Sequence, residues 1–152
     1  MTRYPLLFGF RDLIAGNGFI AGVALNGRAL LVDEEDGFWM YGVNPGALAA
    51  GGATAAEALA EFRKDYRLVL FDIATEAPSF EDFERGVSTF FNAVNEPTAA
   101  EWEEAVAEVR SGRVDADWLP KRRAEARLSV EVTKVEHPVP SANVPDEAEL
   151  AA

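Results

Sequence analysis

The stretch that decides the fold is residues 28–59, which read RALLVDEEDGFWMYGVNPGALAAGGATAAEAL. Two apolar runs, Arg28–Val32 and Phe38–Val43, lie on either side of a charged turn, Asp33–Gly37. Apolar runs that are separated by a turn of this composition predict neighbouring antiparallel strands. The Asn-Pro-Gly corner at 44–46 then ends the second strand, because proline cannot continue a strand ladder.

A long helix is predicted directly after this corner. Thr54 and Glu57 have the spacing of a capping box, in which the threonine side chain accepts from the third amide of the helix and the glutamate reaches back to the cap. The residues that follow place apolar side chains at helical spacing over about five turns. This stripe consists of Ala55, Ala58, Leu59, Phe62, Tyr66, Val69, Leu70 and Ile73.

Towards the N-terminus the chain reads as further strands. Tyr4–Phe10 is apolar and aromatic, and Phe19–Leu25 is followed by the dipeptide Asn26-Gly27. Asn-Gly is a strong hairpin signal, because both residues tolerate the positive φ of a type I′ turn. The sequence therefore predicts a turn at 26–27, a return strand from Arg28, and an antiparallel meander over residues 4–43.

Two more helices are predicted after the long one. Ser79 and Asp82 begin the first of them, and Thr98 with Glu101 repeats the capping box before the next, which Gly112 ends. The helix from Ser79 carries an aromatic stripe of Phe80, Phe83, Val87, Phe90, Phe91 and Val94. Such a stripe is typical of a core, and a dimer seam is the alternative.

The C-terminal third contains the basic cluster Lys121-Arg122-Arg123, with Arg127 beyond it, and then the alternating segment Leu128–Val135. The alternation predicts a strand that adds to the N-terminal sheet or to the sheet of a partner. The proline-rich, acidic residues 137–152 are predicted to form a flexible tail. The whole predicts one α+β domain over 1–136: an antiparallel sheet of four to five strands, a long helix packed on it, and a helical extension over 79–111.

The composition excludes several kinds of active site. The chain has no cysteine and one histidine, His137, which removes thiol chemistry and any site that needs several histidines. Carboxylates are left, and Asp33, Asp36 and Asp72 could in principle hold divalent metal ions for a nuclease. Since neighbouring acids in one turn diverge, the sequence favours a solvated turn. It predicts no enzyme, no cofactor and no metal.

The charge points instead to a basic protein partner. The net charge is −12, and residues 56–115 contain fourteen acids and six bases. Such a surface attracts cations and repels nucleic acid, so DNA binding is not expected. The predicted contact residues are the acids of the third helix: Glu101, Glu103, Glu104 and Glu108. The N-terminus has neither a signal-peptide pattern nor a membrane-spanning length of apolar residues, so a cytoplasmic protein is expected.

Residues 30–46 and 52–59 together resemble the HicB antitoxin family. The likeness lies in the order of five features: a strand, an acidic turn ending in Asp-Gly, an aromatic strand, a Pro-Gly corner and a Thr-x-x-Glu helix start. It covers about residues 28–74, and the HicB-like core that it implies spans about residues 18–74. The motif residues are Asp36, Gly37, Pro45, Gly46, Thr54 and Glu57. The resemblance implies a partial RNase H-like fold without catalytic activity, a homo-oligomer, and a bacterial toxin–antitoxin system in which the protein neutralises a small basic RNase toxin.

The chain departs from that family in two places. Its corner, Asn44-Pro45-Gly46, is shorter than the family pattern, and residues 79–135 do not read as a ribbon-helix-helix or a helix-turn-helix. The primary hypothesis is therefore a non-enzymatic, antitoxin-like protein-binding module without a DNA-binding segment. Two alternatives stay open: a self-associating structural or phage/host accessory protein built from the aromatic stripe and the strand at 128–135, and a metal-dependent nuclease.

Overall fold

Five strands and three helices make up the computed structural model, which describes residues 1–121 and 127–136. The elements are β1 (Thr2–Ala15), β2 (Ile20–Glu34), β3 (Gly37–Asn44), β4 (Ala49–Gly52), α1 (Ala55–Glu76), α2 (Phe80–Asn92), α3 (Glu96–Arg110) and β5 (Ser129–Lys134). The predicted α+β class, with one long helix and two further helices on an antiparallel sheet, is confirmed.

The sheet is organised around β2, its longest strand. β1 pairs with β2 along its whole length, from Thr2 opposite Asp33 to Ala15 opposite Ile20. On the other side of β2, β5 pairs with the first half of the strand and β3 with the second half, and β4 adds to β3. All of these pairings are antiparallel. Of the two places predicted for the strand at 128–135, the chain's own sheet is the one it takes.

The predicted hairpin turn at Asn26-Gly27 is wrong. Both residues lie inside β2, where Asn26 is opposite Gly9 on one side and Ser129 on the other. The turn between β1 and β2 comes earlier: the Gly16 amide donates to the Phe19 carbonyl at 2.9 Å.

Gly27 has a different role from the predicted one. A Cβ at this position would lie 2.7 Å from Cζ of Phe8 and would also collide with the carbonyl oxygen of Asn44. Glycine is therefore used here for the close approach of a ring and a neighbouring strand. The positive φ that a turn requires occurs instead at Gly18, where φ is 78°.

The predicted β2–β3 turn and the start of α1 are confirmed. The chain reverses at Glu35-Asp36, and Gly37 has a φ of 138°. At the start of α1 the Glu57 amide donates to Oγ1 of Thr54 at 3.1 Å, and Oε2 of Glu57 accepts from the Ala53 amide at 2.9 Å. Because these bonds satisfy amides that have no partner within the helix, they fix its first residue.

α1 and α3 pack on opposite faces of the sheet. The main core lies under α1 and α2, and its largest fully buried side chains include Phe62, Tyr66 and Leu70 of α1 and Phe83 of α2. The aromatic stripe of α2 is thus core. β5 pairs with β2 of the same chain, so both the stripe and this strand have partners within the chain.

The second face holds a smaller core. Leu30 and Val32 of β2 pack there against Ala105 of α3, with Trp102 and Tyr41 at its margin. Successive side chains of a strand point to opposite faces, so β2 supplies apolar residues to both cores.

The predicted capping box at Thr98 is wrong, because α3 begins three residues earlier. Asn95 is the cap, and its side-chain oxygen accepts from the Thr98 amide at 3.2 Å. Pro97 then lies in the first turn, where its missing amide costs no hydrogen bond. Asparagine is as good a cap as threonine, and tertiary contacts select it, since the Asn95 amide also donates to the Val43 carbonyl at 3.2 Å.

The predictions for Arg122, Arg123 and the tail 137–152, with its single histidine, lie outside the described residues. Within the ranges that are described, no helix combines the length and the apolar character that crossing a membrane requires.

Tyr66 places an unpaired hydroxyl group in the main core. The residue is 0% exposed, its ring stacks on Phe10 with centroids 5.1 Å apart, and its hydroxyl has no hydrogen-bond partner in the described part of the chain. A buried polar group without a partner costs about 1–3 kcal/mol. Tyr66→Phe is therefore expected to raise the free energy of unfolding at neutral pH by about 1 kcal/mol, measured by urea denaturation.

The same substitution should also change the pH dependence of stability. Burial raises the pKa of Tyr66 above the ordinary tyrosine value of 10.0. Above pH 10 the unfolded chain therefore binds fewer protons than the folded one, and stability falls as the pH rises. In Tyr66→Phe this contribution should be absent. An unchanged alkaline slope, or a large loss of stability at pH 7, would contradict the assignment.

Candidate partner-binding surface

Two arginines of the sheet hold the acidic face of α3. Nη2 of Arg3 lies 3.3 Å from Oε2 of Glu104 and 3.2 Å from Oε1 of Glu108. Nη1 of Arg28 lies 3.8 Å from Oε1 of Glu103. The helix is therefore joined to β1 and β2 by charge as well as by its small apolar core.

Arg28 is at the centre of this contact. Its guanidinium lies 5.3 Å from the centre of the Trp102 ring, a cation–π arrangement, and its Nε donates to Oδ1 of Asn44 at 2.7 Å. Asn44 is itself buried. Trp102 in turn donates from Nε1 to the Leu6 carbonyl at 3.2 Å. These bonds leave Arg28 with little freedom to meet another molecule.

Three of the four predicted contact residues thus interact with the chain's own arginines. The side chains of Glu103 and Glu104 are nevertheless 67% and 64% exposed. Exposed ion pairs contribute about 0–1 kcal/mol, so such carboxylates can exchange partners at little cost. Glu101, the fourth, forms no ion pair with any described residue. Three carboxylates lie beside two guanidinium groups, and Glu101 adds a further negative charge on the same helix, so the helix keeps a negative charge.

A second group of acids acts on the hydroxyl of Tyr41 in β3, beside the ring of Trp39. We call this group the β3 patch: Glu34, Asp36, Trp39, Tyr41 and Glu101. The rings of Trp39 and Tyr41 stack with centroids 6.2 Å apart and an interplanar angle of 23°, and Trp39 is 38% exposed. The Tyr41 hydroxyl donates to Oε1 of Glu34 at 3.1 Å.

The negative charge of the β3 patch affects the pKa of Tyr41. Burial raises the pKa of this tyrosine, and so do its hydrogen bond to Glu34 and the negative charges of Glu34, Asp36 and Glu101. A field that disfavours a phenolate favours a cation at the same place. The patch therefore combines aromatic surface with negative potential.

The carboxylates of the nuclease alternative are not brought together. Asp33 lies near the end of β2 and Asp36 in the turn that follows it, near the start of α1, whereas Asp72 is exposed on the last part of that helix. At 1.5 Å per residue, Asp72 lies about 26 Å along the helix from its first residue, Ala55. No group of three or more potential metal ligands occurs among residues 1–121 and 127–136.

The HicB-like motif residues have structural positions. Asp36 and Gly37 form the β2–β3 turn, Thr54 and Glu57 cap α1, and Pro45 is buried. The Gly46 amide donates to the Ala93 carbonyl at 2.9 Å, which joins the corner after β3 to the link between α2 and α3. These residues set the path of the chain, and α3 and the β3 patch supply the exposed charge.

Comparison with protein-family models, with curated proteins and with solved structures found no match for this chain. The geometry of the surface is thus the basis for any functional inference. The sequence predicts the glutamates of α3 as contact residues, but Arg3, Arg28 and the aromatic pair are not among the predicted residues. The alternation in β3, which places Trp39 and Tyr41 on one face, is the signal that could have identified the pair.

Proposed function

We propose that the protein is a non-enzymatic, antitoxin-like binding module that docks the acidic face of α3 onto a small basic protein, such as an RNase toxin. The observation that carries the proposal is the exposure of the acids on this helix: the side chains of Glu103 and Glu104 are 67% and 64% exposed, and Glu101 forms no ion pair with any residue of 1–121 and 127–136. A concentrated negative surface steers a cationic partner and accelerates its association.

The arrangement of α3 supports the same proposal. Its inner side is fixed to the sheet by Trp102 and Ala105, so the helix backbone that carries the acids is held in place. A surface that is held in place loses little conformational entropy when it binds. The resemblance to HicB antitoxins agrees with this role, and it implies an adjacent gene for the toxin and a cytoplasmic site of action.

Co-expression with the product of the adjacent reading frame tests the proposal. We expect a small basic protein to co-purify in a fixed ratio and its RNase activity to be inhibited. Glu103→Lys combined with Glu104→Lys should weaken binding by about tenfold or more and slow association, because rim charges act mainly on the association rate. The control is Glu61→Lys with Asp72→Lys, which makes the same charge change on exposed positions of α1, on the opposite face.

Equal weakening by the two pairs would show that net charge alone matters and would contradict docking through α3. The absence of any complex would contradict the proposal as a whole.

Self-association is a second candidate function, favoured by one observation. Leu13 of β1 and Ile20 of β2 are 63% and 48% exposed near the end of the β1–β2 hairpin, and among the described strands β1 pairs with β2 alone. An edge strand with exposed apolar side chains can pair with a second copy. Light scattering on the purified protein tests self-association, and a monomer at micromolar concentration would contradict this candidate.

A further inference from the structure

The three tryptophans of the chain differ in their surroundings. Trp102 lies beneath the Arg28 guanidinium, with Glu103 beside that arginine. Trp118 makes edge-on contacts with Tyr4 and Phe38, on the face that α1 covers. Trp39 has a partly exposed ring stacked beside Tyr41, whose hydroxyl lies in the field of three acids, and in the described ranges no base of the chain lies over the indole.

The ring of Trp39 is held in place by the strand beside it. Trp39 is opposite Gly51 of β4, and a Cβ on Gly51 would lie 2.7 Å from Cε2 of the indole. The absence of a side chain at Gly51 thus lets the indole lie against the backbone of β4. Tyr41 stacks beside it, and its hydroxyl is tied to Glu34. The aromatic surface is therefore already ordered before any ligand arrives.

Among the described residues, the charges that act on the Tyr41 side of this surface are negative. Glu34, Asp36 and Glu101 act on the Tyr41 hydroxyl, and none of them forms an ion pair with a base in the described part of the chain. An aromatic face attracts a cation through its quadrupole, and nearby carboxylates add charge and accept hydrogen bonds. The chemistry that complements the β3 patch is a planar cation with several N–H donors.

We propose that the β3 patch is an anchor site for an arginine side chain, which lies on Trp39 and donates to the surrounding carboxylates. The inference deepens the proposed function, since the arginine would belong to the basic partner. The chain already contains the same combination of groups in Arg28, Trp102 and Glu103, where an arginine lies over an indole beside a glutamate. Arginine is favoured over lysine because its planar guanidinium can stack and can bind a carboxylate with two N–H groups.

The probe for this site is N-acetyl-arginine amide, titrated into ¹⁵N-labelled protein while the three indole N–H signals are followed by NMR. We expect a saturable shift of the Trp39 signal at millimolar concentrations, and a smaller one with N-acetyl-lysine amide. The Trp118 signal serves as the internal control and should not shift. N-acetyl-citrulline amide, which has the shape of arginine without its charge, should leave all three signals unchanged.

Variants separate the contributions of ring and charge. Trp39→Ala should weaken binding of the arginine probe, followed through the Tyr41 amide, by about fivefold or more, because the cation–π contact is lost. Glu101→Gln keeps the size of the side chain and removes its charge, and it should weaken binding by about two- to fivefold. Trp118→Ala is the matched control, because it removes an exposed indole from the other face and should change nothing.

The result that would overturn the proposal is the absence of a saturable Trp39 shift, or binding that is as tight for lysine or citrulline as for arginine. This experiment needs no partner protein, so its failure is distinct from a failure of the proposed function. A basic protein that binds the chain while the arginine probe does not would show that the partner docks without this anchor.

Discussion

Phe62→Ala is expected to lower the free energy of unfolding by about 3–5 kcal/mol, the usual cost of truncating a buried phenylalanine. Phe62 is 0% exposed in the middle of α1, and its ring meets Phe8 of β1 edge-on with centroids 5.1 Å apart. Truncation would leave a cavity between the helix and the sheet. Because the surrounding strands and helices fix the walls of that cavity, they can collapse only partly to fill it.

Leu68→Ala is the matched control for this prediction. It truncates a large apolar side chain on the same helix, but Leu68 is 54% exposed. A surface truncation of this kind should change stability by about 0.5 kcal/mol or less. Urea denaturation of both variants measures the difference, and similar losses in the two would show that α1 does not pack with this face towards the sheet.

Gly27→Ala is expected to destabilise the protein by about 3 kcal/mol, at the upper end of the usual cost of overpacking. The added Cβ would lie within 2.8 Å of two atoms of the Phe8 ring and would also collide with the Asn44 carbonyl. Phe8 is buried and cannot move away, and Asn44 is held by its hydrogen bond to Arg28. The strain must therefore be relieved by moving β2 and β3 apart.

The control for Gly27 is Gly22, in the same strand. A Cβ at Gly22 has its nearest neighbours at 3.9 Å, an ordinary contact distance. Gly22→Ala should be neutral or should stabilise by about 0.5–1 kcal/mol, because alanine loses less conformational freedom on folding. If Gly27→Ala were as well tolerated, the close approach between β1, β2 and β3 would not exist, and a turn at Asn26-Gly27 would regain its support.

The predictions for Phe62 and Gly27 illustrate which features of the fold local sequence patterns can predict. The periodicity of α1 and α2 predicted their buried faces, because a stripe at helical spacing has to face a core whatever lies opposite. Thr54 and Ser79 were identified as caps for the same reason, since capping involves only residues within one turn. In both cases the interacting groups are neighbours in sequence.

Signals that can be read in two ways failed where a distant contact decided between them. Asn26-Gly27 suits a turn, but it also suits a strand that another strand and a ring approach closely. Thr98 and Asn95 can both cap a helix. Asn95 is the cap in the structure, where its amide donates a hydrogen bond to the Val43 carbonyl. No local preference could have separated these alternatives, because the deciding atoms come from elsewhere in the chain.

Some features of the candidate site could likewise be predicted from the sequence, and others depend on tertiary contacts. The acids of α3 could be found from the sequence, since charge is a property of composition and helical spacing. Their pairing with Arg3 and Arg28 could not, because those bases are contributed by β1 and β2, far away along the chain. The β3 patch is intermediate: alternation places its two rings on one face, but only folding brings Glu101 of α3 beside them.

By itself, the sequence determined the α+β class, the positions of α1 and α2, a turn within Asp33–Gly37 and the excess of negative charge. The tertiary structure alone decided that β2 runs on through Asn26-Gly27, that β5 joins the chain's own sheet, and which carboxylates have an arginine beside them. The physical reason is the distance along the chain over which each kind of interaction acts. Propensity, periodicity and capping act over a few residues, whereas packing, strand pairing and ion pairs depend on which distant segments share a surface.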